Sequence, residues 1–299
     1  MKTREERIYS GIGHAFMMIL SVIAIIPILL MVISSFTDND ALVKNGYSFF
    51  PEKWSAYAYE WIFSSNSATI LKAYGISIAV TVIGTILAVL ITIGLAYGLS
   101  KPKLPGRGVL TFLVFFTMLF NGGLVPTYIN YTTVFHIKDT FLGILVPNLM
   151  MNAFNVLMMK SYFVTGVPGE IIEAAQIDGA SEFRTMWNIA VPLSKPIITT
   201  VAMFYGIGYW NDWNNGYIYL VKRTDLYSIQ NLLNRLMQGI QMLTQNATNI
   251  SNAGEGLAQI PSSTVRMAMA AIGILPIIII YPFIQKNFVK GITLGGVKG

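Results

Sequence analysis

The chain has 299 residues, of which 54% are hydrophobic and only 11% charged. A soluble globular chain carries about 25% charged residues, so this balance, with a mean hydropathy of +0.58, excludes a disordered chain, a nucleic-acid-binding domain and most soluble enzymes. There is no cysteine, hence no disulfide, thiolate metal site or cysteine nucleophile, and the net charge of +6 reads as lysine and arginine on the inner side of a membrane.

The composition predicts an all-α, polytopic membrane protein built as a single domain over 1–299. About 20 residues cross a bilayer, and the apolar runs supply six candidate spans. The first, at 11–36, follows Lys2, Arg4 and Arg7. A secretory signal peptide is the competing reading. Its apolar core is about 7–15 residues long, so this longer run is read as an uncleaved span, with Pro27 as a tolerated kink. A polar stretch follows, and the second span is at 74–99. The third, at 108–129, reaches spanning length only by continuing through Asn121-Gly122-Gly123-Leu124-Val125-Pro126, where the glycines and proline shape a bend. The fourth is at 140–162, the fifth at 196–220 and the sixth at 265–284. Lys101, Lys103 and Arg107 lie without an acid in the short turn between spans two and three, which places that turn inside. Six spans then put both termini in the cytoplasm.

The segment 165–195 is patterned differently. Pro168 suits the first turn of a helix, and Glu170 and Glu173 lie near its N-terminus, where the macrodipole favours acids. Ala174, Ala175 and Asp178 follow at helical spacings, and Gly179 suits a left-handed helix end. A second helix is expected from Ser181, with Phe183, Trp187 and Ala190 on one face. A helical hairpin lying on the membrane is one reading. A docking element is the other, because small alanines allow close approach and glutamate supplies a charged acceptor.

Glu173-Ala174-Ala175-Gln176-Ile177-Asp178-Gly179-Ala180, followed by Phe183, Ile189 and Pro192-Leu193-Ser194-Lys195-Pro196, resembles the EAA loop of ABC importer permeases. The Asp-Gly-Ala variant is similar to the carbohydrate-importing, maltose-type branch. Asn121 to Tyr128, Tyr209-Trp210-Asn211-Asp212-Trp213 and the tail from Gly291 to Gly299 are similar to the multiple-sugar and lipoprotein-dependent sugar permeases of that branch. The likeness covers nearly the whole chain and is weakest over 236–260.

The resemblance implies a type I importer permease fold in the bacterial cytoplasmic membrane. It implies a second permease subunit, making a heterodimer, with two ATPase subunits below and an extracytoplasmic solute-binding protein delivering sugar from above. The partners would then be protein, sugar and membrane lipid, with no nucleic acid. Glu170, Glu173, Ala174, Ala175, Asp178, Gly179 and Ala180 would form the ATPase-coupling helix and its bend. Gly295, Gly296 and Lys298 would reach the ATPase pair, against the alternative of a frayed terminus. ATP and magnesium would sit on the ATPase subunits. This chain lacks a phosphate-binding loop, so no cofactor of its own and no enzymatic activity are expected. His14 and His136 lie far apart and are read as interfacial rather than metal-binding.

Candidate substrate-path residues are Tyr205, Tyr209, Trp210, Asn211, Asp212 and Trp213 in span five, with Asn121 and Asn152. Asparagine and aspartate are costly in lipid and usually face a cavity or bundle interior. Aromatic faces stack on sugar C–H surfaces. An interfacial aromatic belt is the competing account; it explains the rings better than Asn211-Asp212. Asn121 has the alternative role of ending a helix beside Gly122, and Asn155 that of bonding a neighbouring helix. A permease of the peptide or amino-acid branch and a secondary transporter are the alternatives in function. A secondary transporter leaves the 165–195 pattern unexplained, and a membrane-embedded enzyme lacks a catalytic constellation.

Overall fold

A computed structural model describes residues 4–249 and 262–296. The described residues are mostly helical, and among them no strand forms. The chain divides into two compact units, one from 1–68 and 233–276, the other from 69–232 and 277–299.

The first unit opens with α1 (Arg4–Ser35), which runs unbroken past Pro27. Over residues 9–33 of its apolar stretch no residue is buried; only Ser34 and Ser35 at its end are. An all-round apolar helix without protein cover has hydrocarbon as its natural solvent. The polar stretch that follows is folded. Asp38 caps α2 (Asn39–Asn45) by accepting from the Asp40 and Ala41 N–H groups. Its other oxygen meets Lys53 Nζ at 2.9 Å, and the Ser55 N–H returns to the Phe36 carbonyl at 2.7 Å. Phe36 stacks on Tyr59 at 4.7 Å, and the Ser35 and Tyr59 hydroxyls share a 2.8 Å hydrogen bond.

α3 (Tyr57–Ser100) begins well before the apolar run at 74–99 and crosses from the first unit into the second. Its early turns leave Glu60, Ser64 and Ser67 exposed but bury Ala58, Ile62, Ile70 and Ala73 at helical spacing. A hydropathy reading tuned to lipid-facing spans passes over such an amphipathic start.

In the second unit, α3 lies in one hydrophobic core with α7 (Ala153–Thr165) and α11 (Lys195–Asn211). Ala88, Ile93 and Ala96 from α3 share it with Val156, Met159 and Phe163 from α7 and Ile197 and Val201 from α11. Gly84 lets the Tyr209 ring lie directly against the α3 backbone, the small-residue approach that membrane helices favour.

The other apolar runs are interrupted. α4 (Arg107–Leu119) stops at Phe120, and α5 (Leu124–Ile129), extended by a π-turn over Asn130–Val134, leaves at 116° to it. Gly123 takes the left-handed φ of +84° that makes this turn. The run at 140–162 is not one helix. α6 (Phe141–Leu145) ends before Pro147, Asn148 has φ +61°, and α7 begins only at Ala153. Pro147 has no N–H to continue the helical hydrogen-bond ladder, and Asn148 leaves the right-handed region altogether, so the helix stops. The run at 196–220 breaks at Asp212 and resumes as α12 (Asn214–Tyr219). A 3-10 turn over Thr224–Leu226 leads to α13 (Ile229–Asn249). The last helix, α14 (Ser262–Gly296), overruns the expected 265–284 at both ends.

Candidate functional site

Two places carry the residues singled out from the sequence. The first is the hairpin of α8 (Gly169–Ile177) and α9 (Glu182–Thr185). Pro168 stands immediately ahead of α8 rather than inside its first turn. The helix buries none of its residues; half-buried Ile172 is its apolar contact with the core. Glu170, Glu173, Ala174 and Asp178 are all exposed, and Ala175 and Ala180 are half-buried. The bend is a Schellman turn: the Gly179 N–H donates to the Gln176 carbonyl at 3.1 Å and the Ala180 N–H to the Ala175 carbonyl at 2.9 Å. Gly179 has φ +79°, the conformation glycine adopts without penalty.

Ser181 caps α9, accepting from the Arg184 N–H at 3.3 Å. The expected Phe183–Trp187–Ala190 face does not form as one stripe. A π-turn over Met186–Ala190 shifts the register, so that Thr185, Met186 and Ala190 are buried while Phe183 is 70% exposed. Phe183 keeps an edge contact with Trp187 at 6.1 Å. With Ile177, which is 86% exposed, it gives the hairpin an uncovered apolar tip. α10 (Val191–Leu193) then turns into α11 through an 85° bend at buried Ser194.

Glu182 was not a sequence candidate, yet it joins the hairpin to α3. Its Oε2 accepts from the Tyr97 hydroxyl at 2.9 Å and meets Lys101 Nζ at 3.0 Å, and its Oε1 accepts from Gln176 Nε2 at 2.7 Å. Lys101 also lies 4.4 Å over the Tyr97 ring. Burial alone would push the Glu182 carboxyl up, but the hydrogen bonds from Lys101 and Tyr97 and the Lys101 charge together hold it below its ordinary value.

The second place is the pair of helix breaks at 146–152 and 212–213. Tyr205 is buried; its hydroxyl pairs with Thr92 Oγ1 at 2.8 Å and accepts from the Asn152 N–H at 3.0 Å. The Tyr209 hydroxyl donates to the Leu145 carbonyl at 3.0 Å, and Asn215 Nδ2 donates to the Pro147 carbonyl at 2.8 Å. These side chains thus serve the backbone groups freed where α6 ends and α7 begins. Trp210 is buried with its ring 6.2 Å from Tyr74. Asp212 Oδ1 accepts from the Asn214 and Asn215 N–H groups at 3.2 and 3.3 Å, capping α12. The start of α13 closes the second break: Ser228 Oγ donates to the Asp212 carbonyl at 3.3 Å and Asn231 Nδ2 to the Trp213 carbonyl at 2.9 Å. Asn211 and Trp213 are exposed.

Asn152 caps α7 through the Asn155 N–H at 3.2 Å, and Asn121 caps the α4–α5 bend through the Gly123 N–H at 2.8 Å. So Asn152 joins the tyrosine cluster through its backbone, while Asn121 serves its own turn. Asp139 is a further residue that the sequence reading missed. Its Oδ1 accepts from the N–H groups of Val221 and Lys222, both at 2.7 Å, and of Arg223 at 3.3 Å. The Lys222 N–H and its neighbours hold that carboxyl below its ordinary value of 3.8. In the tail, Gly295 and Gly296 are the last residues of α14, and Lys298 lies outside the described residues. Among the described residues no cluster of His, Asp or Glu is arranged to hold a metal ion.

An apolar helix set, an exposed hairpin with a glycine-fixed bend, and capped breaks in the apolar runs describe an integral membrane protein. Residues 91–294 match the family of binding-protein-dependent transport system inner membrane components, and the chain belongs to that family. The chain is 34% identical to Protein LplC of Bacillus subtilis, over 99% of this chain and 97% of that one. It is also 34% identical to the polygalacturonan/rhamnogalacturonan transport system permease protein YtcP of Bacillus subtilis, over 99% of this chain and 100% of that one. Among solved structures it superposes with a TM-score of 0.74, at 27% identity, on a chain of a bacterial ABC transporter involved in the import of the acidic polysaccharide alginate. That match covers 96% of this chain and 99% of the other. The chain is therefore an ABC importer permease, a transport component rather than an enzyme.

Proposed function

We propose that this chain is one of two permease subunits of an ATP-driven importer for a sugar or oligosaccharide. It would cross the bacterial inner membrane six times, with both termini in the cytoplasm. A second, different permease subunit, two ATPase subunits carrying ATP and magnesium, and an extracytoplasmic solute-binding protein complete the assembly. The hairpin docks into the ATPase pair: Glu170 and Glu173 meet basic groups, Ala174, Ala175 and Ala180 permit close approach, and Asp178 and Gly179 fix the bend. Gly295, Gly296 and Lys298 contact the ATPases from the C-terminal end. Asn211, Asp212 and Trp213 contribute to the path with Tyr205, Tyr209, Trp210, Asn121 and Asn152. ATP closure draws the coupling helices together and opens the path outward; hydrolysis reverses it.

The observation that carries this reading is the uncovered tip of the hairpin. Ile177 and Phe183 are apolar, exposed, and mounted on a turn whose geometry is fixed by backbone hydrogen bonds. Two of the related proteins are named for acidic polysaccharides or pectic polymers, which makes an acidic oligosaccharide the first substrate to try.

The test is purification with the partners encoded beside it, then ATPase activity measured with the binding protein and oligosaccharides of galacturonan, alginate and maltodextrin. Stimulation by one of them is expected, and Glu173→Lys should abolish recruitment of the ATPase subunits without preventing membrane insertion. A chain that recruits no ATPase, or a Glu173→Lys variant that transports normally, would overturn the coupling assignment. Activity indifferent to every sugar, but responsive to peptides or amino acids, would move the substrate to another branch.

A further inference from the structure

We propose that Glu182 is a positioning residue that locks the hairpin to the end of α3, so that a push on α8 is delivered to α3 as a rigid-body movement. The inference rests on the docking role proposed for the hairpin and adds a path by which its motion leaves it.

α8 has little else to hold it. It buries no residue, and its apolar anchorage to the core is half-buried Ile172. A helix held so lightly would rock under load rather than transmit it. Glu182 supplies the missing constraint with a single carboxylate. One oxygen takes Gln176 from the last turns of α8, the other takes Tyr97 and Lys101 at the end of α3, and the residue itself opens α9. Three elements therefore meet at one group. Glu182 also sits in the first turn of α9, where the helix dipole favours its charge.

The arrangement is poorly suited to serve stability alone. The Glu182 side chain is 59% exposed and that of Lys101 20%. Exposed ion pairs contribute little to folding. What three converging bonds do supply is direction, because each restrains the carboxylate along a different line. The end of α3 is itself braced, since Arg107 Nε donates to the Leu99 carbonyl at 2.9 Å. The load thus reaches a helix end tied to the turn that follows it.

The absence of cysteine from the chain makes the test direct. Spin labels placed through Gly169→Cys on α8 and Lys103→Cys beyond α3 report the spacing of the two elements. Both sites are exposed, and a side chain at Gly169 meets nothing within 4 Å. The labelled chain is assembled with cysteine-free permease, ATPase and binding-protein partners. Distances are read nucleotide-free and in the ATP–vanadate state. In the parent chain one narrow distance, unchanged between the two states, is expected.

Glu182→Ala should broaden that distribution about twofold and make it differ between the states, on the scale of a single coupling-network substitution. Tyr97→Phe with Lys101→Met should do the same, and combining them with Glu182→Ala should add nothing further. Glu182→Gln keeps an acceptor for Tyr97 and should restore part of the narrowing. A Glu182→Ala distribution as narrow as the parent's, or effects that add, would overturn the inference. Failure of the parent chain to recruit ATPase subunits would instead overturn the docking reading, and this inference with it.

Discussion

The contact between Gly84 and Tyr209 yields the sharpest energetic prediction. A Cβ placed on Gly84 would lie no farther than 2.6 Å from three carbons of the Tyr209 ring. Carbon atoms in contact settle at about 3.5–4.0 Å, so Gly84→Ala forces the ring to retreat by roughly 1 Å. The ring has nowhere easy to go. Tyr209 is 3% exposed, and its hydroxyl is fixed on the Leu145 carbonyl at 3.0 Å. Overpacking a core costs about 1–3 kcal/mol. If the ring swings away, the stranded carbonyl adds about 1–3 kcal/mol. Gly84→Ala should therefore destabilise the chain by about 1–3 kcal/mol if the hydroxyl keeps its partner and about 2–6 kcal/mol if it does not. The assay is unfolding in mixed detergent micelles, followed by tryptophan fluorescence. Tyr209→Leu removes both the ring and the hydroxyl. In that background Gly84→Ala should cost less than about 1 kcal/mol, a coupling of the size found for residues in contact. A neutral Gly84→Ala, or costs that simply add, would refute the reasoning.

Gly179→Leu forces a side chain into a left-handed conformation at φ +79°. Such a residue costs roughly 1–2 kcal/mol, spent locally at the bend, so co-purification of the ATPase subunits should fail while the chain still reaches the membrane. Asp139→Ala removes the acceptor of the Val221, Lys222 and Arg223 N–H groups, and hydrogen exchange at those amides should accelerate with the remainder of the unit unchanged. The pH dependence has a fixed sign. The folded carboxyl sits below its ordinary 3.8, so its contribution is complete above that value and is lost as pH falls through the depressed one. In the parent chain the same amides should exchange at one constant rate, after correction for intrinsic chemistry, anywhere from pH 5 to pH 8, a window set about one unit and more above the ordinary carboxylate range. A pH-dependent loosening inside that window would point to a different group.

The apolar runs of the sequence are largely helical, because burial in lipid and burial in a core demand the same residues. The runs do not say where a helix breaks. Pro147 and Asn148 stood inside the expected span at 140–162, and their breaking signal was outweighed by the hydropathy around them. The bend at Gly179 was legible because a Schellman turn is local and glycine is its marker. The π-turn at Met186–Ala190 was not, since no single residue type encodes it, and the shift of register exposed Phe183. Glu182 drew no role from the sequence for a different reason. Its partners Tyr97 and Lys101 lie far away in sequence, and nothing in the segment around Ser181 names them.

The aromatic and polar residues after Tyr205 were read as a path, and their geometry divides them. Backbone left without helical partners inside an apolar environment must be satisfied by the protein itself. The break at 146–152 draws on Tyr205, Tyr209 and Asn215 for that purpose, and the break at 212–213 draws on Asp212, Ser228 and Asn231. Asn215 ties the two together, receiving the Asp212 cap at its own N–H and donating its side chain to Pro147. The hydroxyls of Tyr205 and Tyr209 are thus already committed, and a sugar that took them would strand a backbone group at about 1–3 kcal/mol each. Asn211 and Trp213 carry no such commitment to the breaks through their side chains and are exposed. A ligand moving past this region would meet those two first. The tyrosines instead hold the break at 146–152, which Asn215 links to the one at 212–213.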